Sequence, residues 1–471
     1  MIQTHISWVF LTGEFAYKVK KPVNFGFLDF STPGQRKHYC ERELELNRRF
    51  SPNIYLDLLS INIAGDAYHL NGTGKAIDYC LQMKQFKQSD LLEQRLTSKR
   101  FNPAWLDQLA SNIALFHNQQ EAVKSSRIDH ALLLEEHIQG NLATAEKHVG
   151  RALPYNTMQQ LYSYAEHAFQ TLSTLLAARQ SQGFVRSCHG DLHLNNIVLF
   201  DHKPQLFDCI EFNDEFSIID VMSDIAFLVM DLDAHLRPDL AMRLLSRYLE
   251  HSGDYAGLML LRYYLYYRAC VRGKVSCLLV SELDCEKQPP IYEEANLYFT
   301  LAASYTNPGK PKLFAVGGLS GSGKSHLALL GCGIEQAIII RSDATRKRIA
   351  ADYPDLELYG RQMHINTYKA MFDAARTTLS AGYSVILDAT FIHPDSRNQL
   401  KMLADESHTP LHCFWLDIEE SVLRERITKR QRAADDISDA DLHVLERQLT
   451  EFERPAEAWI QRLSSSNRWP T

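Results

Sequence analysis

Gly318-Leu319-Ser320-Gly321-Ser322-Gly323-Lys324-Ser325 follows the apolar run Leu313-Phe314-Ala315-Val316 and leads into His326-Leu327-Ala328-Leu329-Leu330. The order reads as strand, glycine loop, helix, and Gly318, Gly323, Lys324 and Ser325 satisfy the phosphate-loop pattern. Gly321 adds a further point where backbone can curl without a Cβ clash. Successive N–H groups in such a loop, with the start of the helix behind them, make a nest for an anion. The whole segment, Leu319, Ser320 and Ser322 included, is therefore expected to cradle the phosphates of ATP. Lys324 supplies a point charge for the β- and γ-phosphates, and Ser325 a hydroxyl ligand for Mg²⁺. A plain glycine-rich turn accounts for the glycines but not for Lys324-Ser325.

On the C-terminal side, strands alternate with helices. They are expected at Leu313–Gly317, Ala337–Ile340, Ser384–Leu387 and Leu411–Leu416, a pattern that implies a mostly parallel sheet covered on both faces. The second strand runs into Arg341-Ser342-Asp343-Ala344-Thr345-Arg346-Lys347-Arg348. An Asp at the carboxyl end of a parallel strand overlooks the ligand crevice, so Asp343 can reach an acceptor hydroxyl, and Arg346, one helical turn later, can clamp the acceptor or its phosphate. The third strand ends at Asp388-Ala389-Thr390, with Arg397 downstream, and Asp388 is a second candidate metal ligand. Arg426 and Arg430, four apart on one helical face, suit a lid that neutralises charge during transfer. A solvated basic face is the plainer reading of that pair.

The chain has 471 residues, which suggests two or three domains. The formal net charge of −7 argues against an extensive nucleic-acid groove without excluding a local one. Nine cysteines form no C-x-x-C pair, so neither a zinc site nor a disulfide framework is indicated. No apolar run approaches the ~20 residues of a membrane span, and no signal-type segment opens the sequence. A cytoplasmic protein without membrane contact is expected. The Pro/Gly-rich stretch Asn307-Pro308-Gly309-Lys310-Pro311 marks the clearest boundary: a domain at 1–305, a linker at 306–312 and a phosphate-loop domain at 313–471. The first domain divides further, into a small lobe at about 1–88 and a large one at about 89–305.

That first domain opens with strands Ile6–Leu11 and Phe15–Lys20 and a helix from Pro33 through Arg48. Lys18 and Lys20 share one face of their strand. Two further strands are expected at Leu56–Ile63 and Tyr79–Phe86, and then mostly helices, with the tyrosine-rich Tyr255–Val275 lining a core. Between apolar strands lies the polar loop His189-Gly190-Asp191-Leu192-His193-Leu194-Asn195-Asn196, followed by a strand ending at Asp208. Phosphoryl transfer needs a carboxylate to take the hydroxyl proton and oxygen ligands to hold Mg²⁺. Asp191 fits the first role, and Asn196 with Asp208 the second. Lys18, paired with Glu43 on the helix, would position the α- and β-phosphates.

The segment His189 to Asn196, with Asp208, Asp220 and Asp224, resembles the aminoglycoside phosphotransferase and choline kinase group, which has the protein-kinase fold. Lys18-Val19-Lys20-Lys21-Pro22, Phe25-Gly26-Phe27-Leu28-Asp29 and Cys40-Glu41-Arg42-Glu43 resemble a bacterial branch that fuses this domain to a phosphate-loop kinase. That resemblance covers about residues 1–305. It implies Asp191 as base, Asn196 and Asp208 as metal ligands, and Lys18 with Glu43 as the phosphate-orienting pair, with Lys20 as the alternative to Lys18. Residues from about 311 to 460 are similar to phosphate-loop kinases of the polynucleotide-kinase and zeta-toxin type, through Asp343-x-x-Arg346 and Arg426/Arg430. The resemblance makes Asp343 the base there and the arginines phosphate contacts. The fold class expected is thus α+β followed by α/β: a protein-kinase-like domain, then a three-layer P-loop NTPase sandwich.

A kinase small lobe usually covers the phosphates with a glycine-rich strand pair, and here only Gly13 lies upstream of Lys18. Three readings follow. Both domains transfer the γ-phosphoryl group of ATP to hydroxyls; or only the C-terminal one does, and the first binds a regulatory ligand; or the chain is an ATP-controlled binding protein with slow hydrolysis. Small-molecule acceptors are expected, with a nucleic-acid end as an alternative for the C-terminal domain on the strength of Arg341, Arg346, Lys347 and Arg348.

Overall fold

The computed structural model describes residues 1–26, 28–98, 101–124, 128–280, 283–433 and 441–470, with the backbone alone at 430–433. The chain packs as two compact units. The first holds residues 1–109, 119–140 and 165–231, the second 110–118, 141–164 and 232–471. The linker at 306–312 therefore lies inside the second unit, which combines helices preceding it with the phosphate-loop domain.

The first unit opens with a six-stranded antiparallel sheet: β1 (Ile2–Gln3), β2 (Ser7–Leu11), β3 (Phe15–Lys20), β4 (Tyr55–Ala64), β5 (Ala67–Leu70) and β6 (Lys75–Lys84), in the order β1-β2-β3-β6-β4-β5. Helix Pro33–Arg48 packs on β4 and β6. Its start is dictated locally: Pro33 takes the first helical position, while Thr32 accepts from Gln35 N at 3.2 Å and Gln35 Oε1 accepts from Thr32 N at 3.1 Å.

What this lobe buries is unexpected from hydropathy. The inward stripe of the helix is Arg36, Cys40, Glu43 and Asn47, spaced four, three and four apart. The inward residues of β3 are Ala16, Lys18 and Lys20. The buried polar groups of these two stripes find partners. Arg36 Nε donates to Asp78 at 2.9 Å, Asn47 Nδ2 to Glu43 O at 2.9 Å, and Cys209 N to Asn47 Oδ1 at 3.0 Å. Removing one member of such a charged pair leaves its partner buried without a counter-charge.

Two short antiparallel strand pairs carry the polar loop: β7 (Val185–Ser187), β8 (Ile197–Phe200), β9 (Lys203–Leu206) and β10 (Ile218–Asp220), pairing as β7 with β10 and β8 with β9. In the second unit, helix Leu258–Val280 buries Tyr263, Tyr264, Tyr266 and Tyr267, as expected of core tyrosines. In the same unit Tyr305 donates to Asp233 at 2.7 Å, and burial lifts the Asp233 carboxyl to about 6, against the hydrogen bond that lowers it. The folded pKa thus lies above the unfolded value of ~3.9. Its contribution to stability is full below that value and is lost as pH rises through about 6. Asp233→Asn should therefore match the wild type in chemical denaturation at pH 4 and exceed it at pH 8 by on the order of 1 kcal/mol.

The sheet of the second unit comprises β11 (Leu313–Gly318), β12 (Ile338–Arg341), β13 (Val385–Asp388), β14 (Leu411–Leu416) and β15 (Ile460–Leu463), all parallel, in the order β12-β13-β11-β14-β15. Every residue of β11, β12 and β13 is buried, as a parallel strand covered on both faces requires. The sequence reading located the first four of these strands and missed β15, which is four residues long with two of them exposed. Among the described residues no helix is long and apolar enough to cross a membrane. All nine cysteines are free thiols.

Candidate active sites

In the first unit, Lys18 Nζ lies 2.8 Å from Glu43 Oε1 and 2.5 Å from Asp208 Oδ1. Lys20 Nζ lies 2.6 Å from the other Glu43 oxygen and also contacts Glu211. Both lysines therefore reach Glu43, but Lys18 is the one in contact with Asp208. Burial opposes every charge here. The Glu43 carboxyl is nonetheless held at about 2 by Lys18 and Lys20 together, and Lys18 is raised well above its ordinary value by Asp208 and Glu43. For Glu211, burial wins and its carboxyl is raised.

Asp208 adopts φ 60°, in the left-handed region that non-glycine residues seldom occupy. Its N–H donates to Tyr55 Oη at 3.1 Å. The conformation turns the carboxylate toward Lys18, leaving it 43% exposed. Across the polar loop, Asn196 Nδ2 donates to Asp191 Oδ2 at 2.8 Å and to Asp191 O at 2.9 Å. The loop itself is pinned from behind. Asp224 accepts from His189 N at 3.1 Å and Gly190 N at 2.9 Å, and Asp231 accepts from Leu194 N at 2.8 Å. Gly190 has φ 85° and its Cβ position lies 2.7 Å from Phe216 O, so no side chain fits there. Burial holds the His189 imidazole below its usual pKa, and its Nε2 lies 3.0 Å from Phe207 O. Asp220 is committed to a buried ion pair with Arg179, at 2.6 and 2.8 Å.

In the second unit, a cavity of about 1250 Å³ opens at the carboxyl ends of the parallel strands. It is lined by Ser320, Gly321, Gly323, Lys324 and Ser325 from the loop, Asp343 and Arg346 from helix Ser342–Ile349, Asp388 from the end of β13, and Arg426 from helix Glu420–Ala433. Gly318, Gly321 and Gly323 all have positive φ, and a Cβ on Gly323 would lie 2.4 Å from Ser466 Oγ. Lys324 Nζ donates to Leu319 O at 3.0 Å. Arg426 donates to Ser322 O at 3.0 Å and, at 3.4 Å, to Gly321 O. Arg346 donates to Asp343 Oδ1 at 2.8 Å and lies over the Tyr359 ring at 5.1 Å.

Two observations favour a phosphate and a hard cation in this cavity. The loop residues Gly321, Gly323 and Lys324 line it, Gly321 and Gly323 with positive φ and Lys324 with its ammonium beside the loop. Asp388 and Ser325, hydrogen-bonded to each other, offer oxygen donors of the kind magnesium takes. Burial raises the Asp388 carboxyl, while Lys324, Ser325 and Arg341 oppose the shift.

Not every expected contact forms. Arg397 is buried away from the loop, donating to Glu457 at 2.6 Å and to the carbonyls of Phe391, Ile392 and Glu453. Arg341 is held by Glu250, and Arg346 by Asp343, so these two cations, which suggested a nucleic-acid end, are already engaged. The side chain of Arg430 lies outside the described residues. Several site residues escaped the sequence reading: Tyr55, Asn47, Glu211, Asp231, and Gln448, whose Oε1 accepts from Ser320 N at 2.8 Å. Asp231 had a signal, since it falls seven residues, two helical turns, after Asp224. Gln448 had none, being 128 residues from its partner.

Family models match in two places: the phosphotransferase enzyme family over residues 83–261 and the AAA domain over residues 313–455. "Uncharacterized protein Rv2004c" of Mycobacterium tuberculosis and "Uncharacterized protein Mb2027c" of Mycobacterium bovis are each 31% identical over 439 residues, covering 91% of this chain and 85% of the relative. The chain belongs to their family, a phosphotransferase domain fused to a phosphate-loop kinase domain. Among solved structures, the Mycobacterium tuberculosis APS kinase CysC in complex with AMPPNP and APS is 20% identical, covering 34% of this chain and 91% of that one, with a TM-score of 0.27. Plasmodium vivax ethanolamine kinase Pv091845 is 12% identical, covering 62% and 76%, with a TM-score of 0.37. Scores this low bear on neither substrate nor mechanism. Both parts of the chain are kinase-type domains, and the fused protein is a phosphotransferase in the general sense.

Proposed function

We propose that this protein uses ATP at two separate sites, each transferring the γ-phosphoryl group to a hydroxyl of a small-molecule acceptor. The observation that carries the reading is the second unit's cavity, where Lys324, Ser325 and Asp388 share one space with the Asp343–Arg346 pair. In that site Asp343 takes the acceptor's hydroxyl proton as the oxygen bonds to the γ-phosphorus. The bond from that phosphorus to the β,γ-bridging oxygen breaks, and ADP leaves with the electron pair. Lys324 and Arg426 are cations beside the loop, suited to the charge that spreads over the equatorial oxygens. Arg346 holds the Asp343 carboxylate by one oxygen and leaves the other to the incoming alcohol. Ser325 and Asp388 would hold magnesium, which would further neutralise the β- and γ-phosphates.

In the first unit Asp191 has the same task, oriented by Asn196, with Asn196 and Asp208 as the metal's oxygen ligands and Lys18 as the phosphate contact. A second reading has a specific observation behind it. Lys18 is in contact with Asp208, and the turn joining β1 to β2, Thr4-His5-Ile6, contains no glycine. The glycine-free turn suits a unit that binds a ligand and regulates rather than transfers, whereas the Lys18–Asp208 contact is the geometry a transferring site needs. The test is full-length protein with γ-labelled ATP, a panel of hydroxylated metabolites and oligonucleotide ends, comparing Asp191→Asn with Asp343→Asn. Loss of a distinct labelled product in each supports two sites. Loss in Asp343→Asn alone supports the regulatory reading, and release of free phosphate only overturns both.

A further inference from the structure

Helix Pro238–Ser252 precedes the linker, yet it packs against β12, against the phosphate-loop helix Lys324–Glu335 and against helix Ser342–Ile349, which bears Asp343. It lies buried along most of its length, with Leu240, Leu244, Leu245, Tyr248 and Leu249 all at 3% exposure or less. β12 is the last strand of its sheet, so the N–H groups on its outer side have no strand to pair with. Ser246 meets one of them: its Oγ accepts from Ile339 N at 3.0 Å and donates to Met242 O at 2.7 Å. One turn further along, Glu250 grips Arg341 with both oxygens, Nε to Oε1 and Nη2 to Oε2, each at 2.5 Å. Arg247 joins the same carboxylate at 2.8 Å. Glu250 is 5% exposed and Arg341 8%.

Arg341 stands two residues before Asp343, lines the same cavity as Asp343 and Asp388, and its charge is felt at Asp388. A buried guanidinium in that position has three carboxylates to choose from, and two of them are the groups the reaction needs free. We propose that Glu250 is a positioning residue for the C-terminal site: it holds Arg341 at the strand end, off Asp343 and Asp388, so that the base and the magnesium ligand stay available. The site in the phosphate-loop domain is thereby completed by a residue encoded upstream of the linker. This rests on the reading of that cavity as a magnesium-nucleotide site.

The test is a cycle on the full-length chain, E250Q, R341M and the double variant, with ATP affinity measured by calorimetry in the presence and absence of magnesium, beside thermal melting. Gln at 250 removes the charge that holds Arg341, and the guanidinium then turns to Asp388 or Asp343. E250Q should weaken the affinity measured with magnesium at least tenfold and change the magnesium-free affinity less than twofold. The double variant, lacking the stray cation, should bind like R341M. A role confined to packing would lower both affinities and the melting temperature together, with no recovery in the double variant, and that result overturns the inference. So does wild-type affinity in E250Q. Should E250Q fail to fold, R341M against R341M/E250Q decides: with Arg341 gone, changing Glu250 must leave affinity unaltered, and a further loss refutes the proposal. Lys324→Ala separates the two ideas. If it binds nucleotide as tightly as wild type, the nucleotide-site reading itself fails; if it loses binding while the Glu250 variants do not, only the positioning role fails.

Discussion

Asp343→Asn should reduce labelled product from the C-terminal site by about 10²- to 10⁴-fold while leaving ATP affinity within a few-fold of wild type, the range expected when a positioned general base is lost. The substitution keeps the shape of the side chain and an oxygen for Arg346, which donates to Asp343 at 2.8 Å. It removes the negative charge, and with it the ability to accept a proton. Asp343 is not part of the loop that cradles phosphate, so binding and chemistry separate in this variant. Its counterpart Lys324→Ala should show the opposite split, with affinity lost first. Measuring product formation against nucleotide affinity for both proteins distinguishes a base from a binding residue. Equal transfer by wild type and Asp343→Asn would remove that aspartate from the mechanism.

The second large effect is on stability. Glu43→Ala leaves Lys18 and Lys20 without their shared carboxylate, at 9% and 1% exposure. Removing one partner of a buried ionic cluster costs about 3 to 5 kcal/mol, far more than the intact pair contributes over an apolar substitute. Denaturant unfolding of the full chain should show an early loss of the first unit. Glu43→Gln, which retains acceptor capacity, should lose less. The pH dependence follows from the sign of the shift. The Glu43 carboxyl sits at about 2 when folded because Lys18 and Lys20 outweigh its burial, against ~4.3 in an unfolded chain. Its contribution is present above the unfolded value and is lost only as pH falls through about 2. The stability gap between wild type and Glu43→Gln should therefore stay constant from pH 8 to pH 5 and close below it. A gap that instead shrinks between pH 7 and pH 5 would show that the carboxylate is not held by its lysines.

These two residues illustrate different degrees of legibility. The loop from Gly318 to Ser325 and the Asp343-x-x-Arg346 spacing are local patterns, in which strand, turn and helix preferences place the groups within a few residues of one another. Helix Pro33–Arg48 was equally legible, because its capping signals are adjacent in the chain. The polar interior of the first unit was not. Period-2 and period-3.6 readings assume that apolar residues face inward, whereas β3 buries its lysines and the helix buries Arg36, Glu43 and Asn47. Lys18 and Lys20 share a strand face, so no pattern in the chain could separate them. The contact with Asp208, 190 residues away, does so.

By itself the chain determined the order of its elements, the phosphate loop, and which carboxylates sit at strand ends or in polar turns, because those are matters of spacing and backbone preference over a few residues. Only the tertiary structure decided which distant partners hold the cations: Arg341 is held by Glu250, 91 residues earlier, and Arg397 by Glu457 and three carbonyls. The reason is physical. A buried charge must be matched wherever the fold brings a partner, and burial is a property of packed elements that no short stretch of sequence contains.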